Sequence, residues 1–453
     1  MVSLLVRRNV HSAAPDTGPG ALNATAWASA AALTALTLLT TGCTGQDGET
    51  SGAKPGPPAS AAPHGYVEGA QEAAEPQPRL MLNDPGTGDT RVLDLVTGKV
   101  HRAPRSDGAT ALGTDGRFGY LHSADGLHAL DSGAWTVDHG DHAHYYRAAI
   151  RDLGRLPGGA GARYVRGDAA VTAVTGADGR ASVHRRTELE KLEKTGTGQR
   201  KNADTAARPL ALTGVHRAAV VPYADHLLTL DDDGTGTPKV AVYDRAGKRA
   251  EAPDAPCADP RGDAVTRRGV VFGCADGALL IQRATKDGKG DKGGSGGGFT
   301  AVRIPYRTEV PTAERAVSFR HRPGSDTLTA PSGDRAVWAL DVGARTWTRV
   351  RTGPVVAVNT AGEGSPLLVL QNDGALHGYD IATGARVSRT ERLLTGAPDG
   401  GGTGPVVEVD RSRAYVNDPA GSRVHEIDYN DRLRLARTLD VGMKPVLMVE
   451  TGR

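Results

Sequence analysis

Residues 367–387 read Leu-Leu-Val-Leu-Gln-Asn-Asp-Gly-Ala-Leu-His-Gly-Tyr-Asp-Ile-Ala-Thr-Gly-Ala-Arg-Val. Two β-rich runs flank Asp373-Gly374, and an aspartate and a second glycine-containing turn follow. Asp-Gly between such runs is the strongest short-range hairpin signal, because the turn needs positive φ. The same unit recurs through the chain. It is legible at 119–135 (Gly-Tyr-Leu-His-Ser-Ala-Asp-Gly-Leu-His-Ala-Leu-Asp-Ser-Gly-Ala-Trp), at 271–282 (Val-Phe-Gly-Cys-Ala-Asp-Gly-Ala-Leu-Leu-Ile-Gln) and at 413–428 (Arg-Ala-Tyr-Val-Asn-Asp-Pro-Ala-Gly-Ser-Arg-Val-His-Glu-Ile-Asp). The second run of each unit starts near residues 92, 127, 182, 240, 279, 337, 376 and 424. Those spacings, about 35–60 residues, suit a four-stranded blade with its loops. The expectation is an all-β chain folded as a β-propeller of eight blades, with seven as the alternative.

Nothing else in the chain competes with that pattern. No segment sustains a helical period. Glu-Leu-Glu-Lys-Leu-Glu (188–193) predicts one or two amphipathic turns, inside a polar insertion that runs to Arg208. Lys286–Gly298 is a Gly/Lys insertion. Aromatic residues are only 4% of the chain, so the core must rely on Val, Leu and Ala. About 370 residues follow the N-terminal region, too many for one ordinary compact core, and a repeat architecture removes that difficulty.

The N-terminus predicts export. Arg7 and Arg8 precede an apolar run from Ala26 to Leu39, then Thr40-Thr41-Gly42-Cys43. The run is short for a membrane span and ends in small residues. Leu-Thr-Thr-Gly-Cys resembles a bacterial lipobox, with its leucine one place too far upstream. Residues 1–43 are therefore expected to be a lipoprotein-type signal peptide, with Cys43 lipidated and holding the protein to the cell membrane. A cleaved signal and secretion, or an uncleaved anchor, are the alternatives; the match to twin-arginine export is poor. Residues 44–78 are dense in Gly, Pro, Ala, Ser and Glu and read as a disordered tether. The propeller domain is then expected over 79–453.

Besides Cys43 the chain has two cysteines, Cys257 and Cys274. In an oxidising compartment an even pair suggests a disulfide. Two thiolates contributing to a metal site are the alternative, though the spacing is not Cys-x-x-Cys. The net charge of +2 and the lack of a basic stripe with interleaved aromatics argue against nucleic acid as a partner.

The densest chemistry lies at 138–146, Asp-His-Gly-Asp-His-Ala-His-Tyr-Tyr. Three of the 14 histidines, His139, His142 and His144, fall within six residues. Neutral imidazole is the commonest protein metal ligand. Apolar strand residues end at Thr136-Val137, so the cluster follows a strand. His142 and His144 share a face if extended, and Gly140 lets the chain bring His139 round. A zinc shell takes three or four ligands, so Asp141 is a further candidate. Asp138 and Asp141 could accept from the second ring nitrogens. A solvated polar loop is the plainer reading. His122 and His128 flank the preceding hairpin and rank second, while His377 and His425 fit packed strand positions.

The order His-Gly-Asp-His-x-His-Tyr-Tyr resembles the AztD-type zinc metallochaperones, exported β-propellers that pass zinc to the solute-binding protein of a zinc ABC transporter. The similarity runs through most of the chain after the tether. Its anchors are 132–146, the Cys257/Cys274 pair with 271–277, and 413–420 leading to His-Glu-Ile-Asp at 425–428. The resemblance implies Zn²⁺ ligation by His139, His142 and His144 and a Cys257–Cys274 disulfide. It also makes His216, in Val215-His216-Arg217, a candidate to close the shell alongside Asp141. One position departs: the family typically shows His-Gly-Glu after the first cysteine, and here Arg261-Gly262-Asp263 stands there. A cation replaces a possible ligand.

The resemblance implies an extracytoplasmic, monomeric zinc metallochaperone rather than an enzyme. A lipid-anchored propeller scaffold without metal is the alternative from another class. Catalytic signatures are weak. Gly293-Gly294-Ser295-Gly296-Gly297 matches Gly-x-Ser-x-Gly only within a glycine run. A phosphate loop and His-Glu-x-x-His are both lacking.

Overall fold

Each β-rich unit becomes one small antiparallel sheet built from strands adjacent in sequence. The computed structural model describes residues 66–139, 142–192, 209–232, 234, 236–284, 298–398 and 404–453. The expected signal peptide, Cys43, most of the tether, Asp141 and the bulk of both insertions lie outside the described residues.

Among the described residues there are nine sheets of three or four strands, and eight of them follow one another along the chain. The eight expected runs are all strands: Thr90–Asp94, Gly126–Asp131, Ala181–Arg185, Lys239–Asp244, Gly277–Arg283, Ala336–Asp341, Ala375–Tyr379 and Arg423–Asp428. Each pairs with the strand before it across a short turn. The Asp-Gly turns behave as their chemistry requires, with Gly374 at φ +78° and Gly277 at φ +145°. The first and last strands of the repeat region meet. Strand Leu447–Thr451 pairs antiparallel with Arg79–Asn83, so the last segment completes the first sheet. This is the β-propeller expected from the repeats.

Burial on both sheet faces explains the strand composition. Successive side chains of a strand point to opposite faces. Val270 and Phe272 pack with Val221, Leu228, Leu230 and Val242 of the preceding sheet. Val271, between them, packs with Leu328, Leu340 and Trp347 of the following sheet. A strand buried on both sides reads as a continuous apolar run, as Gly269–Cys274 does. Each fully buried Val, Leu or Phe side chain contributes about 1.5–3 kcal/mol. Val, Leu and Ala supply most of this core, in line with the low aromatic content.

Helix is nearly absent among the described residues. The one α-helix described, Arg186–Lys191, begins two residues before the expected amphipathic turn and buries Leu189. Cys257 and Cys274 are joined by a disulfide across a Cα–Cα distance of 5.2 Å, both residues buried. It ties the segment that enters this sheet to the strand Gly269–Cys274.

One element departs from the repeat. In the sheet of Ala111–Thr114, Phe118–Ser123, Gly126–Asp131 and Arg151–Arg155, a hairpin is inserted between the third and fourth strands. Its strands are Ala134–Asp138 and Ala143–Arg147. A short strand from the expected tether, Gln71–Ala73, pairs with the second of them. The tether expected over 44–78 is thus ordered at its C-terminal end, where backbone pairing to the hairpin edge offsets poor local burial.

Candidate metal site

The inserted hairpin carries the histidines, and its base is held firmly. Gly133 turns the chain out of strand Gly126–Asp131 at φ +67°, where a Cβ would lie 2.4 Å from the Ala148 carbonyl oxygen. Arg117 grips the fully buried Asp131 through two hydrogen bonds, Nε to Oδ1 at 3.1 Å and Nη2 to Oδ2 at 2.8 Å. Its guanidinium also stacks 3.7 Å from the ring centre of Trp135, the second hairpin residue. Across the hairpin, Trp135 stacks on Tyr146 at 5.3 Å. An arginine that is paired and stacked in this way fixes both its partners.

Register then places the three rings. Val137 lies opposite His144, and Trp135 lies opposite Tyr146. Continuing the ladder puts His139 opposite His142, and the His139 amide donates to the His142 carbonyl at 2.9 Å. Directly opposed residues share a face, as do residues two apart. Trp135, Val137 and His139 on one strand therefore share a face with His142, His144 and Tyr146 on the other. The ring centres lie 4.9 Å apart for His139 and His142, 5.4 Å for His139 and His144, and 5.1 Å for His142 and His144. One nitrogen from each ring falls within 4.8 Å of the others. Tetrahedral zinc with nitrogens at about 2.0–2.1 Å sets them roughly 3.3 Å apart. Small side-chain rotations at the end of a two-stranded hairpin cover that difference. His139 and His142 are exposed and His144 is half-buried, so the cluster opens to solvent.

A carboxylate missed in the sequence joins this group. Glu72, on the strand Gln71–Ala73, lies opposite Tyr146, and its Oε1 is 2.6 Å from His144 Nδ1. Composition hides it: Glu72 sits among Gly, Ala, Glu and Pro, and no local periodicity separates three paired residues from a tether.

The other candidates lie elsewhere. His216 is not in the group; its side chain is buried, and its Nδ1 is 2.6 Å from Asp231 Oδ1. The Tyr243 hydroxyl donates to Asp231 Oδ2 at 2.6 Å, and Arg249 lies 3.2 Å from the same carboxylate. Burial, and then Asp231, push the Tyr243 hydroxyl well up. His216 bridges to Asp231 at the end of strand His226–Asp231, where second strands turn into third strands. The hairpin leaves from the end of a third strand, and that end is the opposite one in these up-and-down sheets. Asp141 lies outside the described residues. His122 Nδ1 meets the Ala162 carbonyl at 3.1 Å, and burial lowers its pKa. His128 is paired with Asp152 at 2.7 Å. His377 and His425 are buried in their strands, and burial lowers both pKa values. Arg261 pairs with Asp259 at 2.8 Å, and its amide donates to the Gly273 carbonyl beside the disulfide. It belongs to a different sheet from the hairpin. With both sulfurs in the disulfide, neither is a thiolate ligand in this structure.

Two solved structures share this architecture. Apo AztD from Citrobacter koseri superposes with a TM-score of 0.63 at 18% identity, covering 83% of this chain and 98% of that one. A second structure of Citrobacter koseri AztD gives 0.61 over the same shares, again at 18% identity. The chain has the fold of AztD. The resemblance drawn from the histidine motif and the structural comparison thus point to the same fold. No family model matches the chain, and no curated protein matches it in sequence.

Proposed function

We propose that this protein is an extracytoplasmic zinc metallochaperone. It binds Zn²⁺ at His139, His142 and His144 and hands it to the solute-binding protein of a zinc ABC importer. The observation that carries this reading is the convergence of three imidazoles on one open hairpin face. The AztD-like fold and the disulfide of an oxidising compartment support it. Cys43 anchors the mature monomer to the cell membrane by a lipid.

The site's form suits delivery rather than storage. Three nitrogen donors leave at least one tetrahedral position to solvent, to Asp141 or to an incoming ligand. An imidazole of the importer's binding protein can occupy that position before any resident histidine leaves. Exposed rings at a hairpin end release one at a time, so no step strands a bare cation. Protonation removes the imidazole lone pairs, so affinity falls as pH falls.

Zinc titration of the purified protein against a chromophoric chelator tests the reading. One equivalent should bind, and the His139→Ala/His142→Ala/His144→Ala triple variant should lose it. Equal binding by both proteins would place the metal away from these three histidines and overturn the assignment, and no binding by either favours a scaffold without a metal role.

A further inference from the structure

We infer that Glu72 is a positioning residue of the zinc site, and this rests on the proposal that the three histidines bind zinc. Glu72 Oε1 lies 2.6 Å from His144 Nδ1, close enough for a charge-assisted hydrogen bond. A carboxylate in that place accepts the Nδ1 proton and fixes the ring as the Nδ1–H tautomer. The lone pair is then on Nε2, the nitrogen left to face a metal. Carboxylate–histidine–zinc arrays of this form orient the ring and raise its basicity, and losing the carboxylate costs about 10–100-fold in metal affinity.

The backbone makes this contact specific. Gln71, Glu72 and Ala73 pair with Arg147, Tyr146 and Tyr145. That pairing sets Glu72 across from Tyr146, two residues from His144 on the same strand. Gln71 Oε1 also accepts from Arg147 Nε at 3.3 Å. The segment that continues from the tether thus supplies the third strand of the metal-binding sheet. Residues 71–73 and residues some 70 positions later form one site.

Two measurements on the full chain test this. In zinc-free protein, imidazole ¹⁵N shifts should report the Nδ1–H tautomer for His144, and Glu72→Ala should move that ring toward the Nε2–H form. Zinc affinity should fall about 10–100-fold in Glu72→Ala. Glu72→Gln, whose amide oxygen still accepts, should fall less. An unchanged tautomer, or wild-type affinity in Glu72→Ala, overturns the inference. If wild-type protein binds no zinc but the tautomer shifts as stated, the functional proposal fails and the positioning contact stands.

Discussion

Replacing Arg117 by methionine should expose how much the hairpin base contributes to the fold. Arg117 and Asp131 have side chains that are 4% and 0% exposed. The guanidinium makes two hydrogen bonds to Asp131, one to Glu190 at 2.9 Å, and stacks on Trp135. Breaking a buried pair by removing one partner costs about 3–5 kcal/mol. Arg151 and the Gly133 amide remain on Asp131, at 2.8 and 2.9 Å. Methionine also keeps an apolar stem against Trp135. The expected loss is therefore at the lower end, about 3 kcal/mol. Equilibrium urea unfolding at pH 7, followed by tryptophan fluorescence, measures it. The pH dependence adds a second check. Burial alone raises the Asp131 pKa, but the hydrogen bonds and charge of Arg117, those of Arg151 and the Gly133 amide together hold it below the usual carboxylate range. A depressed carboxyl stabilises the fold above its unfolded value of about 4, and that contribution disappears as pH falls through the folded value. The gap between wild type and Arg117→Met should thus be widest above about pH 5 and shrink as pH falls through the depressed folded value. A variant within about 0.5 kcal/mol of wild type at pH 7, the range of ordinary surface changes, refutes the reasoning.

Other perturbations have equally definite outcomes. Cys257→Ala/Cys274→Ala opens a loop with a sequence separation of 17, and chain entropy predicts a loss of about 3 kcal/mol; urea midpoints unchanged from the oxidised wild type would contradict it. Glu450 is 1% exposed, and its carboxyl is raised to about 8, chiefly by burial, with Arg453 opposing and Asp410 and Glu408 adding. The folded state holds this proton more tightly than the unfolded state, so stability should fall as pH rises from about 4.5 through 8. The fall should reach roughly 5 kcal/mol at most. Glu450→Gln should flatten that slope, and the same slope in the variant would show that another group causes it.

The legible part of this fold was the part encoded in local turn chemistry. All eight expected runs are strands, because a short glycine-containing turn between two β-rich runs specifies a hairpin without distant help. The histidine hairpin was half legible. Alternation places His142 and His144 on one face, but only the His139–His142 pairing shows that all three rings share it. Glu72 and the strand Gln71–Ala73 were not legible, since their order comes from a partner about 75 residues downstream. His216 illustrates the opposite failure. It stands close to a turn, as a ligand would, yet Asp231 and Tyr243 enclose it in the interior. Its pairing depends on which strand end it meets, and that is a property of sheet topology rather than of neighbouring residues.

Diffraction at the zinc absorption edge, from crystals of the protein loaded with one equivalent of Zn²⁺, bears most directly on the central claim. The account predicts one anomalous peak at the hairpin end, with nitrogens of His139, His142 and His144 at about 2.0–2.1 Å. A peak elsewhere on the propeller, with those three rings unligated, contradicts it.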